Sequence, residues 1–563
     1  MPKSYARRVN ARRITRVTAP TEREGAAVAG MAIPSKTGTS ALRGLCVSAA
    51  FLTFGCAVGP DFVRPHPPSA ERYTHGPVPT ATVAADGVAQ RFEGGAKVAA
   101  DWWKLFQSPE LDAVVSEAIS NNATLQAAQA ALRQSEDSLR AGYGVFFPQL
   151  DANLGATRQK FSPARFGGSA PSSIFNLFTL GATVSYALDV FGVEQRTVEG
   201  LQAQVDIQQY MVLATYLTLT GNVANTLIAR SAYRDQIKAT ADVIRSLQEQ
   251  VGVAEVQVEA GTASYTTLLS LQSQLASFQA TIPPLRQSLA KTESLLATLV
   301  GRTPAEWSPP DVELSALALP RDLPVTLPSE LVRQRPDILV AEARLHSASA
   351  NVGVATAALF PNFALSGSYG QTSNATSSLF QSNANVWSLG AAVAGPLFHG
   401  GTLWFQRRAA IDAYDQSLAI YRQTVLSGLA QVGDALRALE HDAEALDASS
   451  RNLRAAGDVL PLVEANYIAG TVNYLGLLVA NAQFLQAKIA YLQTLAQRYQ
   501  DTVALFVALG GGWWNEAPVS PDAASTTNAL RAVDPSIDGV SGDAMSGRAA
   551  ADAQANDSQR LKR

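Results

Sequence analysis

The sequence predicts a mainly α-helical chain, built as a tandem repeat, in which each copy contributes one β-hairpin to a membrane β-barrel. Three observations carry that expectation. The stretch at 359–400 reads LFPNFALSGSYG, then a polar segment, then NVWSLGAAVAGPLFHG, with apolar residues alternating with small or polar ones in both arms. A two-residue period is the signature of a strand, because successive side chains point to opposite faces. The pattern has an earlier copy, since FPQLDANLG at 147–155 matches FPNFALSGS at 360–368, and ALDVFG at 187–192 resembles GPLFHG at 395–400. Beyond each hairpin, apolar residues recur every seven positions, the spacing of coiled-coil packing.

A further matched pair, AGTASYTTLL at 260–269 and AGTVNYLGLL at 469–478, stands 209 residues apart. Repeats of that size point to duplication of a whole domain, because solenoid units run about 20 to 50 residues. Composition narrows the class. Of 563 residues 16% are charged and 47% hydrophobic, with a net charge of −3, so there is no electrostatic footprint for nucleic acid. Beyond the first 55 residues no apolar run approaches the roughly 18 residues of a spanning helix.

At the N-terminus, residues 1–30 are Arg-rich and precede a second methionine, Met31, which reads as the true start. Arg43 and the apolar run 44–55 then look like a secretory signal. The run ends at Gly55-Cys56, resembling a bacterial lipobox with a small residue before an acylated cysteine, although Thr53 stands where Leu is usual. Residues 1–55 are therefore a leader. Cys56 is the expected lipidation site, and loss of Cys46 with the leader leaves no partner for a disulfide.

Residues 56–107, rich in Pro, Gly and Ala, predict an extended segment that packs on other parts without a core of its own. The first copy, 108–300, opens on a helix running to about Val145, with Ser108 as N-cap, Pro109 in the first turn and Glu110 complementing the dipole. Its hairpin occupies 149–188. Strand one has Leu150, Ala152 and Leu154 against Asp151 and Asn153; strand two has Phe178, Leu180, Val184 and Leu188 against Thr179, Thr183 and Ser185. A helix of about 65 residues follows over 193–259, roughly 100 Å long at 1.5 Å per residue. It carries the heptad series Ile237, Ile244, Val251 and Val258, echoed by Leu446, Leu453, Leu460 and Tyr467 in the second copy. The returning helix repeats Leu268, Leu275, Ile282, Leu289 and Leu296, with Pro283-Pro284 predicting a kink in this copy alone.

A Pro-rich connector at 301–328 leads to the second copy, 329–509: a helix to Leu359, the hairpin at 362–397, a long helix at 401–468 and a returning helix at 471–509. The tail, 510–563, is low in apolar content and predicts disorder. No phosphate loop, HExxH or GxSxG is present, and the five histidines have no ligand spacing, so neither catalysis nor a cofactor is expected beyond the lipid on Cys56.

Strands of about 9 to 11 residues can span an outer membrane, and a sheet in lipid must close on itself. Four strands cannot close, because the smallest barrels have about eight; several chains must pool their hairpins. The alternatives are a small soluble sheet packed on the helices, and an enzyme or surface adhesin built on a helical stalk.

Several segments carry a family resemblance: CAVGPDFVRP at 56–65, DWWKLFQSPELDAVVSEAISNNATLQAA at 101–128, RPDILVAEARLHSASANVGVATAALFPNFALSG at 335–367 and ALGGGW at 508–513. The chain resembles TolC-like outer-membrane efflux factors of the NodT-type lipoprotein branch over about 56–514. That resemblance implies a homotrimer whose four strands per chain form one 12-stranded barrel, continued by a helical periplasmic tunnel. It implies a passive exit duct for drugs or other small toxic compounds, working with a periplasmic adaptor and an inner-membrane RND-type transporter. A conduit for type I protein secretion is the alternative within the same family. Family members often carry an acidic ring at the periplasmic mouth, but the matching positions here are Gly476, Val479 and Thr267. The tips Gly261, Thr262, Gly470, Thr471 and Val472, about 100 Å from the membrane, are the expected adaptor contacts, and without an acidic ring Tyr265, Tyr467 and Tyr474 are the expected gate.

Overall fold

In the computed structural model, residues 57–515 are described apart from 77–78, 163–166 and 168–170. The leader, Cys56 and the tail from 516 lie outside the described residues. The first copy holds α1 (Pro109–Asn121), α2 (Ala123–Gly142), β2 (Gln149–Phe161), β3 (Ser173–Leu188), α3 (Val193–Glu259) and α4 (Tyr265–Val300), preceded by a short strand β1 (Arg91–Gly94). The connector contributes β4 (Asp322–Val325), and the second copy holds α5 (Pro328–Gln334), α6 (Pro336–Ala357), β5 (Asn362–Ser373), β6 (Asn385–Ala394), α7 (Thr402–Ile468) and α8 (Tyr474–Ala508).

Both opening helices expected as single rods are broken. Asn122 interrupts the first: its side-chain oxygen accepts from the Leu125 N–H at 3.0 Å, and its Nδ2 donates to the Leu299 carbonyl at 2.8 Å, so it caps α2 and ties it to α4. In the second copy the break falls at Arg335, which precedes Pro336 and is held extended, as the proline ring requires of its predecessor. The two prolines at 283 and 284 do not end α4, which continues from Tyr265 to Val300. The expectation that no stretch beyond the leader is apolar enough to span a membrane is corrected by composition in two helices. Apolar windows of 18 residues in α3 and α8 would suffice by composition to cross a membrane, but 56% and 39% of them is buried within the chain.

The two copies do not form separate domains. One core takes Leu111 and Val115 from α1, Leu227 and Ile228 from α3, Leu436 and Leu439 from α7, and Val503 and Phe506 from α8. The N-terminal segment, expected to pack on other parts without a core of its own, does so and contributes Val98, Trp102, Trp103 and Phe106 to this core. A short 3-10 helix buries Trp102 and Phe106, and Trp102 stacks on Phe506 with centroids 5.5 Å apart. β1 pairs in parallel with β4, so the N-terminal segment and the connector wrap the helices together. The expected tail is also corrected at its start: Gly510, Gly511 and Gly512 adopt positive φ, and a Cβ on Gly512 would stand 2.4 Å from the Val98 carbonyl oxygen. This turn tucks Trp513 in, where its Nε1 donates to the Gln334 carbonyl at 2.9 Å.

Arg498 of α8, wholly buried, is the fastening point of the wrapping segment. Its Nε donates to Gln90 Oε1 at 3.0 Å, and its Nη2 to Thr82 Oγ1 and the Val88 carbonyl, each at 3.2 Å. Gln90 in turn donates to the Pro320 carbonyl and to Thr502, both at 3.1 Å. Near it Asp442 of α7 meets Asp501 of α8. Burial, followed by the hydrogen bond and the charge of Asp501, pushes the Asp442 carboxyl up to about 8 from the ordinary 3.8, against the pull of Arg498.

The native state therefore holds a proton that the unfolded chain releases near pH 4, so this site's stabilisation is complete at acid pH and fades as pH rises through about 8. Asp442→Asn, which mimics the protonated carboxyl, should raise the unfolding midpoint at pH 8–9 and flatten the pH dependence between 4 and 8. Thermal unfolding across that range checks it; a variant less stable than the parent at pH 9 would contradict the assignment.

Candidate functional site

The hairpins join into one antiparallel sheet in the order β2-β3-β5-β6. Register decides which side chains share a face, because directly paired residues point the same way. Leu150 pairs with Val184, Leu154 with Leu180, Tyr186 with Leu365, Phe363 with Val393, and Tyr369 with Trp387. All four strands thus contribute to one apolar face, on which Trp387, Leu389 and Leu154 are 73%, 84% and 80% exposed. Arg158, Lys160, Asn176 and Gln371 stand on that face only at its end remote from the helices. The opposite face pairs Asp151 with Thr183, Thr183 with Ser368, and Ser368 with Ser388, whose hydroxyls hydrogen-bond at 2.8 Å. It is polar or small nearly throughout. β2 and β6 are the sheet's edges, each without a partner strand on its outer side among the described residues.

At the other end of the long helices the two turns are built alike. Gly261 and Gly470 have φ of 73° and 74°, a conformation that costs glycine no side-chain clash. The Thr262 N–H donates to the Gln257 carbonyl at 2.8 Å and its hydroxyl to the same oxygen at 3.0 Å; Thr471 does the same to Asn466 at 2.9 and 3.0 Å. Such bonds satisfy carbonyls that a helix end leaves orphaned. Ser264 and Asn473 then cap the returning helices. Val472 packs closely on Gly476, where an added Cβ would stand 2.7 Å from its Cγ1. Thr267 is drawn into the cap, 2.9 Å from the Ser264 hydroxyl, and is buried.

The three tyrosines differ in burial. Tyr265 is 63% exposed, Tyr467 is half-buried near the end of α7, and Tyr474 packs on a cluster formed by Leu247, Val251, Leu268, Leu271, Leu478 and Leu485. That cluster joins α3 and α4 to α8, so it fastens one copy's tip to the other's. Of the stripe expected on α3, Ile237, Ile244, Val251 and Val258 with Leu247 and Ala254 between, Leu247, Val251 and Ala254 are buried and Ile237, Ile244 and Val258 half-buried, while Gln236, Thr240 and Val243 are buried beside it. Asn481, 2% exposed, donates to Gln250 Oε1 at 3.4 Å in the same seam. A buried polar pair fixes helix register, and nothing in the apolar spacing announced it. Cys56 lies outside the described residues. The chain after it is firmly placed: the Val58 N–H donates to the Phe191 carbonyl at 3.1 Å, Asp61 pairs with Arg196 at 2.6 Å, and Phe62 stacks on His346 at 4.4 Å.

Comparison with known proteins agrees with this geometry. The profile of the family described as outer membrane efflux protein matches residues 114–302 and 327–511. The pyoverdine export outer membrane protein OpmQ of Pseudomonas aeruginosa is 30% identical over 419 residues, covering 74% of this chain and 88% of that one. The probable outer membrane lipoprotein SilC of Salmonella typhimurium is 25% identical, covering 84% and 99%. Among solved structures, the outer-membrane channel OprN superposes with a TM-score of 0.73 at 28% identity over 81% of this chain and 100% of that one. The open state of the MtrE outer membrane channel of Neisseria gonorrhoeae gives 0.69 at 26%, over 81% and 99%. This chain belongs to the outer membrane efflux protein family.

Proposed function

We propose that the protein is the passive outer-membrane duct of a tripartite efflux system, working as a homotrimer. The observation that carries this reading is the four-stranded sheet with one continuous apolar face and two edges left open. Three such sheets joined edge to edge make a 12-stranded barrel with no free edge, the requirement for β-structure in lipid. The apolar face then meets lipid, the Thr and Ser face lines water, and exposed Phe147, Phe360 and Phe398 sit where an interfacial aromatic girdle belongs. The two long helices, α3 and α7, each of 67 residues and about 100 Å long, extend into the periplasm. Their six turns, two per chain, form the docking face for a periplasmic adaptor, which couples the duct to an inner-membrane RND-type transporter. Acylation of Cys56 anchors the chain to the periplasmic leaflet. Related proteins are named for pyoverdine, toluene, antibiotic and cation efflux, so cargo is read from this chain's own deletion strain by its drug and metal susceptibilities.

Opening requires α7 and α8 to part from their neighbours at the tip, where Tyr474 and the Asn481–Gln250 pair hold the seam in place of an acidic ring.

Leu389→Arg should weaken the membrane-inserted barrel by about 2–4 kcal/mol, while Ser388→Arg, one residue away on the opposite face, should cost far less. Denaturant titration after folding into vesicles measures both, and equal costs would mean that the two faces are not lipid and water.

Gly470→Pro removes both the positive φ and the N–H that donates to Tyr467 at 3.0 Å. Export should fall to background with trimer levels in the outer membrane unchanged, whereas Tyr474→Ala should increase leakage of large antibiotics of the vancomycin type. Normal export from the proline variant, with adaptor crosslinks found only higher on the helices, would remove the tips from the mechanism.

A further inference from the structure

Where the sheet meets the helices, a cleft of about 510 Å³ opens between the ends of β3, β5 and β6 and the adjoining ends of α3, α6 and α7. That volume falls within the range of about 300–1,000 Å³ typical of ligand pockets. Its apolar wall is continuous: Phe191 stacks on Phe360 at 4.7 Å and tilts against Phe363 at 6.4 Å, with Leu403 alongside. Phe363 pairs with Val393 and Leu188, so this wall prolongs the apolar face of the sheet.

We infer that this cleft seats an acyl chain of the lipid carried by Cys56, an inference that rests on the acylation reading above. The first argument is where the chain arrives. Ala57 packs on Gly192, its Cα only 2.6 Å from where a Cβ on that glycine would stand, and Gly192 lies between the cleft residues Phe191 and Val193. Cys56 precedes Ala57 by one residue, a reach of about 3.3–3.6 Å when extended. The Val58–Phe191 hydrogen bond and the Asp61–Arg196 ion pair hold the described chain there, one residue from the proposed attachment point of the lipid.

The second argument is charge. The polar side chains lining the cleft are Asp189, Glu194, Asn362 and His399, with no Lys or Arg among them. Two carboxylates disfavour the phosphate of a free phospholipid. A diacylglyceryl group in thioether linkage and an acyl group in amide linkage carry no charge, so the two carboxylates do not repel them.

The test feeds cells producing the full-length protein a palmitate analogue that carries a diazirine and an alkyne, irradiates them, and maps crosslinked peptides on the purified protein. Crosslinks are expected in peptides spanning 187–194, 357–364 or 394–403, with Cys56→Ser unlabelled. Ala358→Phe, which fills the cleft, should keep the label but reduce crosslinks there several-fold; Leu403→Trp serves if that variant does not assemble. Labelled protein whose crosslinks fall only on the strands or on phospholipid would overturn the seat and leave acylation standing. Cleft crosslinks that persist in Cys56→Ser would make a free phospholipid the occupant and overturn the inference. An unlabelled parent protein would overturn acylation and the seat together.

Discussion

A strand in hydrocarbon cannot leave its backbone N–H and C=O groups unpaired, because no water is there to accept or donate and each orphan costs several kcal/mol. Much of the architecture follows from that constraint. The sheet has four strands in the order β2-β3-β5-β6, and among the described residues no strand lies on the outer sides of β2 and β6. In the proposed trimer those edges are met by other copies. The amphipathic register then separates lipid from water without any charged residue on the apolar face near the helices.

Duplication supplies the four strands, but the two copies are not independent. The β3–β5 pairing joins them within the sheet, and the core around Trp102 and Phe506 joins them among the helices. At the tip, Leu268 and Leu271 of one copy share a cluster with Leu478 and Leu485 of the other. The N-terminal segment adds a third tie, running from Phe191 at the base of the sheet to the wholly buried Arg498. A buried arginine that lost its partners would be strongly destabilising, so this fastening fixes where the segment lies.

What could be read from the sequence is what local periodicity encodes. The strand faces were visible because Trp387, Leu389 and Val393 alternate with Ser388, Gly390 and Ala392, and the register keeps them together. The tips were visible because Gly261 and Gly470 recur in matched contexts, and both take positive φ. Contacts between residues far apart in the chain left no such trace. Arg498 meets Gln90 across 408 positions, and Asn122 breaks a helix because Leu299 offers a carbonyl. On α3 the apolar spacing does not reveal Gln236 and Thr240, which are polar by type and buried. The cleft beneath the sheet is assembled from three separate segments, and only folding reveals it.

The central claim is that the open edges of β2 and β6 meet across copies of this chain. Pairs of cysteines, one on β2 near Ala152 and one on β6 near Ala391, scanned in register and oxidised in the membrane, test it most directly. The account predicts that a subset of pairs closes into a covalent trimer and no larger ladder. Disulfides formed only within single chains, or a ladder extending beyond three, would contradict it.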